Sequence, residues 1–324
     1  MTVIAVAGGT GGVGKTIVEK LIDSKFDIVV LSRSVKQDFA SQNIQIVQIN
    51  YDDIPSMARV LEQHNIHTII SAIGLVSDET SQSQLNLIEA AEASASTKRF
   101  IPSEYSFVQT PELLPIDPSI QYWLDAADRL KASGLKYTRV IPGFFMDYWG
   151  MPHVQTHLQP FTFGIDISSG TAAIPGDGNN VICMTYTYDM AIYLVKVLSL
   201  DEWPEFSVIV GDEVTYNQVL GMAEEFTGKK FKVTYDSLEQ IKTGDVTVPP
   251  QPEGIEYSSD ELKEVTAPRT LDSNTDLSAR NQVRAPRVDI VVPAQKLAHG
   301  ELILVPRDDV PAGVSITDSI ELGA

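Results

Sequence analysis

The residues best placed to do chemistry come first in the chain. Thr2 to Gly14 reads TVIAVAGGTGGVG. A short apolar run, Val3–Ala7, breaks into a glycine-rich turn, and a helix-like run, Lys15–Leu21, follows. Strand, glycine turn, helix start is the arrangement that receives a dinucleotide. One glycine permits the tight turn, another lets the backbone approach a pyrophosphate, and a third lets helix and strand pack together. The spacing here is Gly8-x-x-Gly11-x-x-Gly14. Gly9 to Thr16 also fits G-x-x-x-x-G-K-T, a phosphate loop. Two nucleotide readings therefore share one loop.

The next sixty residues favour the dinucleotide. Asp27–Leu31 is a second apolar run, ending at Ser32-Arg33-Ser34. An NAD site usually closes this strand with an acid that holds the ribose hydroxyls. Arg33, with Lys36 nearby, suits a 2′-phosphate instead, so NADP(H) is the cofactor to expect. A phosphate-loop enzyme would want an acid after a later strand to hold magnesium. The runs Ile44–Gln48 and Thr68–Ala72 end without one in a fitting place, and Asp52 and Asp53 come nearest.

These residues must be positioned by alternating strands and helices. Strands are expected near Val3–Ala7, Asp27–Leu31, Ile44–Gln48, Thr68–Ala72, Arg99–Pro102 and Lys136–Ile141. Helices are expected near Gly12–Ser24, Ile54–His64, Ser81–Ser94 and Ser119–Ala132. That rhythm predicts an α/β chain: a Rossmann-type, doubly wound parallel sheet with a smaller C-terminal substrate lobe. The rhythm changes after Pro142. Residues 1–142 read as the NADP-binding domain, 143–243 as the substrate lobe and 244–324 as an acidic, proline-rich, partly irregular tail. In the lobe, TAAIPGDGNNVICMT predicts two strands around a Gly-Asp-Gly turn. A helix near Tyr188–Leu200, a strand at Phe206–Val210, a helix capped by Thr215 and a strand at Phe231–Tyr235 follow. The tail holds a single aromatic, Tyr257, too little bulky apolar material for a core of its own. Two runs in it, Asp289–Val292 and Glu301–Val305, could add edge strands.

Composition narrows the function. The chain has 324 residues, 43% of them hydrophobic, enough for a sizeable core. A net charge of −19 argues against general nucleic-acid binding and against an anionic membrane surface. No stretch approaches a membrane span in length, and no basic region precedes the first apolar run. One cysteine, Cys183, allows no intramolecular disulfide and reads as a buried thiol of a reducing compartment. A cytoplasmic protein is expected, with a homodimer allowed but not specified.

With these motifs placed, the chain resembles the NmrA-like family, an atypical branch of the short-chain dehydrogenases that includes isoflavone-reductase-like enzymes. GGTGGVGK is similar to the family's glycine loop and LSRS to its NADP-selecting arginine. QLNLIEAAEASASTKRFIPSEYS, ASGLKYTRVIPGFF and GDGNNVICMTYTYDMAIYLVKVL resemble later family segments. The resemblance implies that Thr10, Gly11, Gly12 and Val13 meet the pyrophosphate and Arg33 the 2′-phosphate, with Gly8 and Gly14 in the same cofactor-binding loop. It places Ala72, Ile73 and Gly74 along the cofactor, with Gln84 close by. Ser103, Tyr105, Gly143 and Phe144 should lie near the nicotinamide.

One departure matters. The family's reductases carry a lysine fourteen residues before the tyrosine of Y-T, and here Trp123 stands there. No Tyr-x-x-x-Lys pair exists either. A proton donor must come from elsewhere. Glu104, kept neutral by apolar surroundings, and Tyr105 lead the candidates. Tyr122, Asp147, Tyr148 and His153 complete them. His153 and His157 have a spacing that would share a helix face, but no third ligand accompanies them, so no metal is expected. Trp123, Phe145, Tyr148, Trp149 and His153 suggest a pocket for a flat, apolar small molecule. Three functions follow. The first is NADPH-dependent reduction of an aromatic or alkaloid-type metabolite. The second is an isomerase or cyclase that shapes a reactive intermediate. The third is a non-catalytic NADP sensor, the only one that calls for a protein partner.

Overall fold

A computed structural model of the chain describes residues 2–34, 44–115, 117–274, 288–291 and 305–306. Strand β1 (Val3–Ala7) lies inside a six-stranded sheet with β2 (Asp27–Ser32), β3 (Gln45–Gln48), β4 (Ile66–Ser71), β5 (Arg99–Ile101) and β6 (Lys136–Tyr137). The order is β3-β2-β1-β4-β5-β6, and every neighbouring pair is parallel. Parallel strands need crossovers, supplied here by α1 (Gly12–Ile22), α2 (Ile54–Gln63), α3 (Asp78–Ala93) and α4 (Gln121–Lys131). The doubly wound sheet expected from the sequence is thus present.

Side-chain alternation along β1 sorts the two faces. Ile4 and Val6 join Ile17, Val18 and Leu21 of α1, together with Met190 and Leu194 of α6 (Thr187–Val197). Ala5 and Ala7 point the other way, toward Met57, Leu61, Leu87, Ile88 and Leu130. Helix starts are fixed by local side chains. Asp53 Oδ1 accepts from Ser56 N at 2.9 Å, so one of the two acids weighed as a magnesium ligand caps α2. Ser77 and Thr80 form a reciprocal capping box at α3. The winding reverses between β1 and β4, which opens a crevice at the strands' carboxyl ends.

The sequence suggested one strand over Lys136–Ile141. The structure breaks it at Thr138. β6 stays with β5, while β7 (Arg139–Ile141) leaves to pair with β12 (Phe206–Val210). The buried hydroxyls of Thr138 and Ser207, 2.8 Å apart, satisfy each other at the break.

Beyond Pro142 the chain builds two small sheets. One has the order β14-β10-β9, from β9 (Ile165–Asp166), β10 (Thr171–Pro175) and β14 (Lys232–Asp236). The other has the order β13-β11-β8, from β8 (Phe144–Phe145), β11 (Val181–Thr185) and β13 (Asp212–Thr215). β10 and β11 flank the Gly-Asp-Gly turn as expected but join different sheets. Helix α7 (Tyr216–Thr227) starts on a Thr215–Gln218 capping box, an interaction worth about 1 kcal/mol. Cys183, expected to be buried, is half-exposed, because alternation turns Ile182 and Met184 inward and Cys183 outward.

Helices α8 (Leu238–Lys242) and α9 (Ser259–Asn274) meet over Ile241, Val246 and Ala267. The sixteen-residue α9 stands where irregular chain was expected. It leans on α8 through small apolar residues and needs no bulky core. β15 (Val288–Val291) extends β12 in parallel, and β16 (Val305–Pro306) pairs antiparallel with β15. Most of the run expected at Glu301–Val305 lies outside the described residues.

Candidate functional site

The glycines of the first turn divide into two kinds. Gly8 has φ of +76°, and a Cβ there would stand 2.5 Å from the Ala72 carbonyl oxygen. A Cβ on Gly14 would stand 2.2 Å from the Gly8 carbonyl oxygen. These two let β1, β4 and α1 close together. Gly11 is different. Its amide donates to Gly8 O at 3.1 Å and it caps α1, yet a Cβ on it would meet only that oxygen, at 3.7 Å. A Cβ on Gly74 would meet nothing within 4 Å among the described residues. Gly11 and Gly74 therefore leave space.

That space is a groove of about 380 Å³ lined by Gly8, Thr10, Gly11, Arg33, Ala72, Ile73, Gly74 and Thr80, among others. A second hollow of about 280 Å³ shares Arg33, Tyr51 and Ser83 with it, and adds Gln48, Asn50, Asp52 and Glu79. The two form one trough from the glycine turn to the end of β2. Burial pushes the Tyr51 phenol up to about 12, with Arg33 pulling the other way, so Tyr51 is a neutral wall of the trough. Gly12 and Val13 open α1. Gly12 faces His157 O and Leu158, at 3.4 Å from where its Cβ would be, and Val13 packs on the core. Lys36 lies outside the described residues.

The residues present fit a dinucleotide. The Cα faces of Gly11 and Gly74 are open, the N-cap of α1, Gly11, lines the groove, and the buried Nε2 of Gln84 has no hydrogen-bond partner among the described residues. The other end of that amide is committed: Gln84 Oε1 accepts from Ser103 N at 2.8 Å, tying α3 to the loop after β5.

The two leading proton-donor candidates have other tasks. Glu104 is buried, and both its oxygens take a guanidinium N–H of Arg139: Nε to Oε2 and Nη2 to Oε1, each at 2.6 Å. Burial raises the proton affinity of Glu104, and the Arg139 charge and hydrogen bonds oppose it. With both oxygens engaged, Glu104 anchors the β5 loop to β7. Tyr105 sits at φ +35°, unusual for a residue with a side chain, and its hydroxyl donates to Ser71 O at 2.9 Å. Burial pushes its phenol far above the ordinary range. Tyr105 is thus a tie between β4 and β5. Asp147 is likewise engaged, accepting from Thr187 N at 3.0 Å and Thr187 Oγ1 at 2.5 Å at the start of α6. The Tyr122 hydroxyl donates to Asp78 Oδ1 at 2.7 Å.

The aromatic residues separate. Gly143, at φ +72°, turns the chain so closely along β11 that a Cβ would stand 2.3 Å from Cys183 O. The strand after it alternates. Phe144 joins Trp149 (ring centroids 4.7 Å apart), Tyr148 (5.8 Å) and Phe163 (5.6 Å). Phe145 turns the opposite way and is buried in the Rossmann core with Val140 and Tyr193. Trp123 is half-buried on α4, and no ring contact among the described residues joins it to this group. His153 is exposed, and residues 151–158 form no helix, so it shares no helix face with His157. Among the described residues, no group of three or more His, Cys, Asp or Glu is assembled as a metal site.

A cluster not foreseen from the sequence lies beside Gly12. His157 Nε2 is 2.7 Å from Glu19 Oε1, and the Tyr188 hydroxyl donates to Glu19 Oε2 at 2.6 Å. These bonds pin residues 155–158 across α1 and α6. Their partners are too distant in sequence for any spacing rule to find. Arg139 left a clearer signal, since a cation inside the apolar strand TRVI demands a buried acid.

A family model described as NmrA-like matches residues 1–285. The chain is 40% identical over 233 residues to oxidoreductase BOA1 of Botryotinia fuckeliana, covering 71% of this chain and 78% of that one. It is 32% identical over 272 residues to oxidoreductase swnN of Metarhizium robertsii, covering 76% and 80%. Among solved structures it resembles one from a study of pinoresinol-lariciresinol and phenylcoumaran benzylic ether reductases, with TM-score 0.67, 19% identity and 93% and 95% coverage. The leucoanthocyanidin reductase–NADPH complex of Vitis vinifera gives TM-score 0.64, 17% identity and 93% and 96% coverage. At such identities these two structures speak for the fold.

Proposed function

This chain belongs to the NmrA-like family, and we propose that it is an NADP(H)-dependent oxidoreductase acting on a small, largely apolar aromatic or alkaloid-type metabolite. The observation that carries the reading is the trough running from the glycine turn to Arg33. Relatives named as oxidoreductases supply the reaction class, and a structural neighbour in complex with NADPH supports the cofactor. Gly11, Gly12 and Val13 offer the amides of α1 to the pyrophosphate, and Arg33 its guanidinium fork to the 2′-phosphate. Ala72, Ile73, Gly74 and Gln84 hold the nucleotide's other half, with Ser103 nearby. When bound, NADPH supplies a hydride. The chain's own residues orient the substrate, exclude water and manage any proton.

Proton management favours one substrate type. Glu104, Tyr105, Asp147 and Tyr122 already serve protein partners. An imine or iminium carbon accepts hydride with little acid help, because it carries or readily gains positive charge. A C=N bond is therefore the preferred target, ahead of C=C or C=O. Phe144, Tyr148 and Trp149 present the aromatic wall against which a flat substrate would rest. The engagement of these four groups also suits a redox-neutral enzyme that folds a reactive intermediate into shape by orientation alone.

The test is turnover of NADPH with a panel of cyclic imines and enones, followed at the nicotinamide absorbance band and by product mass. Consumption with imines supports the proposal. Conversion without net consumption moves the reading to an isomerase or cyclase. Cofactor binding with no turnover on any member removes both.

A further inference from the structure

We propose that Glu79 sets how strongly this protein prefers NADP(H) over NAD(H), by opposing the phosphate that Arg33 attracts. The inference rests on the reading of Arg33 as the 2′-phosphate residue. The acid that an NAD site carries at the end of its second strand is absent here, and Arg33 stands in that region instead. An acid nevertheless reaches the same hollow from the opposite wall. Glu79 Oε1 lies 4.0 Å from Arg33 Nη1, and both residues line the space beside Tyr51 and Ser83.

The backbone of Glu79 is held in place. It lies in the first turn of α3, whose start is fixed by the Ser77–Thr80 capping box, and its carbonyl accepts from Ser83 Oγ at 2.9 Å. A carboxylate is favoured at a helix N-terminus, and Glu79 places one at the rim of the hollow. The Arg33–Glu79 contact itself is long, with the side chains 76% and 82% exposed, so it contributes little to the fold. Its consequence lies in binding. A 2′-phosphate brings up to about two negative charges beside Arg33 and meets the Glu79 carboxylate there. NAD(H) brings a neutral 2′-hydroxyl to the same place, which a carboxylate accepts as a hydrogen-bond donor. Glu79 thus works against one nucleotide and not the other, and Asp52 adds a second negative charge to the hollow.

The experiment measures dissociation constants of NADP⁺ and NAD⁺ for wild type, Glu79→Gln, Glu79→Lys and Arg33→Ala, at low and high ionic strength, with melting curves as a check of folding. Glu79→Gln is expected to tighten NADP⁺ about threefold to tenfold and to leave NAD⁺ unchanged or weaker. Glu79→Lys should tighten NADP⁺ further, and both gains should shrink as salt screens them. Arg33→Ala should weaken NADP⁺ far more than NAD⁺. If Arg33→Ala weakens both nucleotides equally, the underlying reading of Arg33 fails. If Arg33→Ala is selective but the Glu79 variants shift both nucleotides alike, or neither, the role of Glu79 is overturned while that of Arg33 stands.

Discussion

Arg139 lays its guanidinium fork squarely on Glu104, Nε to Oε2 and Nη2 to Oε1 both at 2.6 Å, in a site where neither side chain sees water. The pair bolts the loop after β5 to β7, the strand that leaves the main sheet for the second one. Removing one partner leaves the other charge buried alone, so Arg139→Met should cost about 3–5 kcal/mol. Arg139→Met combined with Glu104→Leu should recover much of that loss, because the burial cost then disappears from both sides. Urea midpoints of the two single variants and the double variant check this. Additive losses would mean that the pair is not coupled.

Tyr105 offers a cleaner separation of structure from chemistry. Its hydroxyl is spent on Ser71 O, so Tyr105→Phe removes one buried hydrogen bond and should cost about 1 kcal/mol. Turnover on an accepted substrate should stay within about twofold at saturating cofactor. A general acid at that position would instead be worth about a hundredfold or more. A drop of that size with an unchanged melting temperature would restore Tyr105 as the donor.

What could be read from the chain alone follows the reach of each interaction. The glycine turn, the alternating runs and the Thr215 cap are set by neighbours within one turn of chain, and the structure has them where the sequence places them. Phe144 and Phe145 face opposite ways after Gly143, and no local sign in the sequence says which of them joins the Rossmann core. The partner of Glu104 was not legible because it lies 35 residues away on a strand that changes sheets. His157 and Glu19, 138 residues apart, left no local trace. Trp123 marks the opposite case. The missing lysine is visible in the sequence alone.

The Glu19 cluster predicts an acid-sensitive attachment of residues 155–158. Burial pushes the Glu19 carboxyl up, but hydrogen bonds from Tyr188 and His157, with the charges of His157 and Lys15, outweigh it and leave it below the ordinary 4.5. A depressed carboxyl contributes stability that is fully present above its unfolded value. That contribution disappears as pH falls through the lower folded value. Glu19→Gln should therefore melt below wild type at neutral pH, and the two curves should converge as the pH falls below the ordinary carboxyl value of 4.5. Limited proteolysis at neutral pH should cut the variant faster within residues 151–158. A constant gap between the curves down to the acid limit would show that the ionised form of Glu19 is not what holds the segment.

The two kinds of glycine predict opposite phenotypes. A methyl on Gly14 would sit 2.2 Å from the Gly8 carbonyl oxygen and 3.0 Å from Ala72 Cβ, and neither backbone nor the Cβ of a partly buried alanine can yield. Gly14→Ala should force α1 off the turn, costing about 1–3 kcal/mol as overpacking does. Its loss of nucleotide binding should accompany a lowered melting temperature. Gly74 faces open groove, with no atom within 4 Å of an added Cβ. Gly74→Val should melt like wild type in the absence of nucleotide, yet fill the space along which Ala72, Ile73 and Gly74 receive the cofactor. Its apparent NADP⁺ dissociation constant should rise at least about tenfold, and the thermal shift on adding NADP⁺ should shrink accordingly. Gly74→Val with undiminished NADP⁺ binding would move the cofactor off this wall of the groove, whatever Gly14→Ala did to the fold.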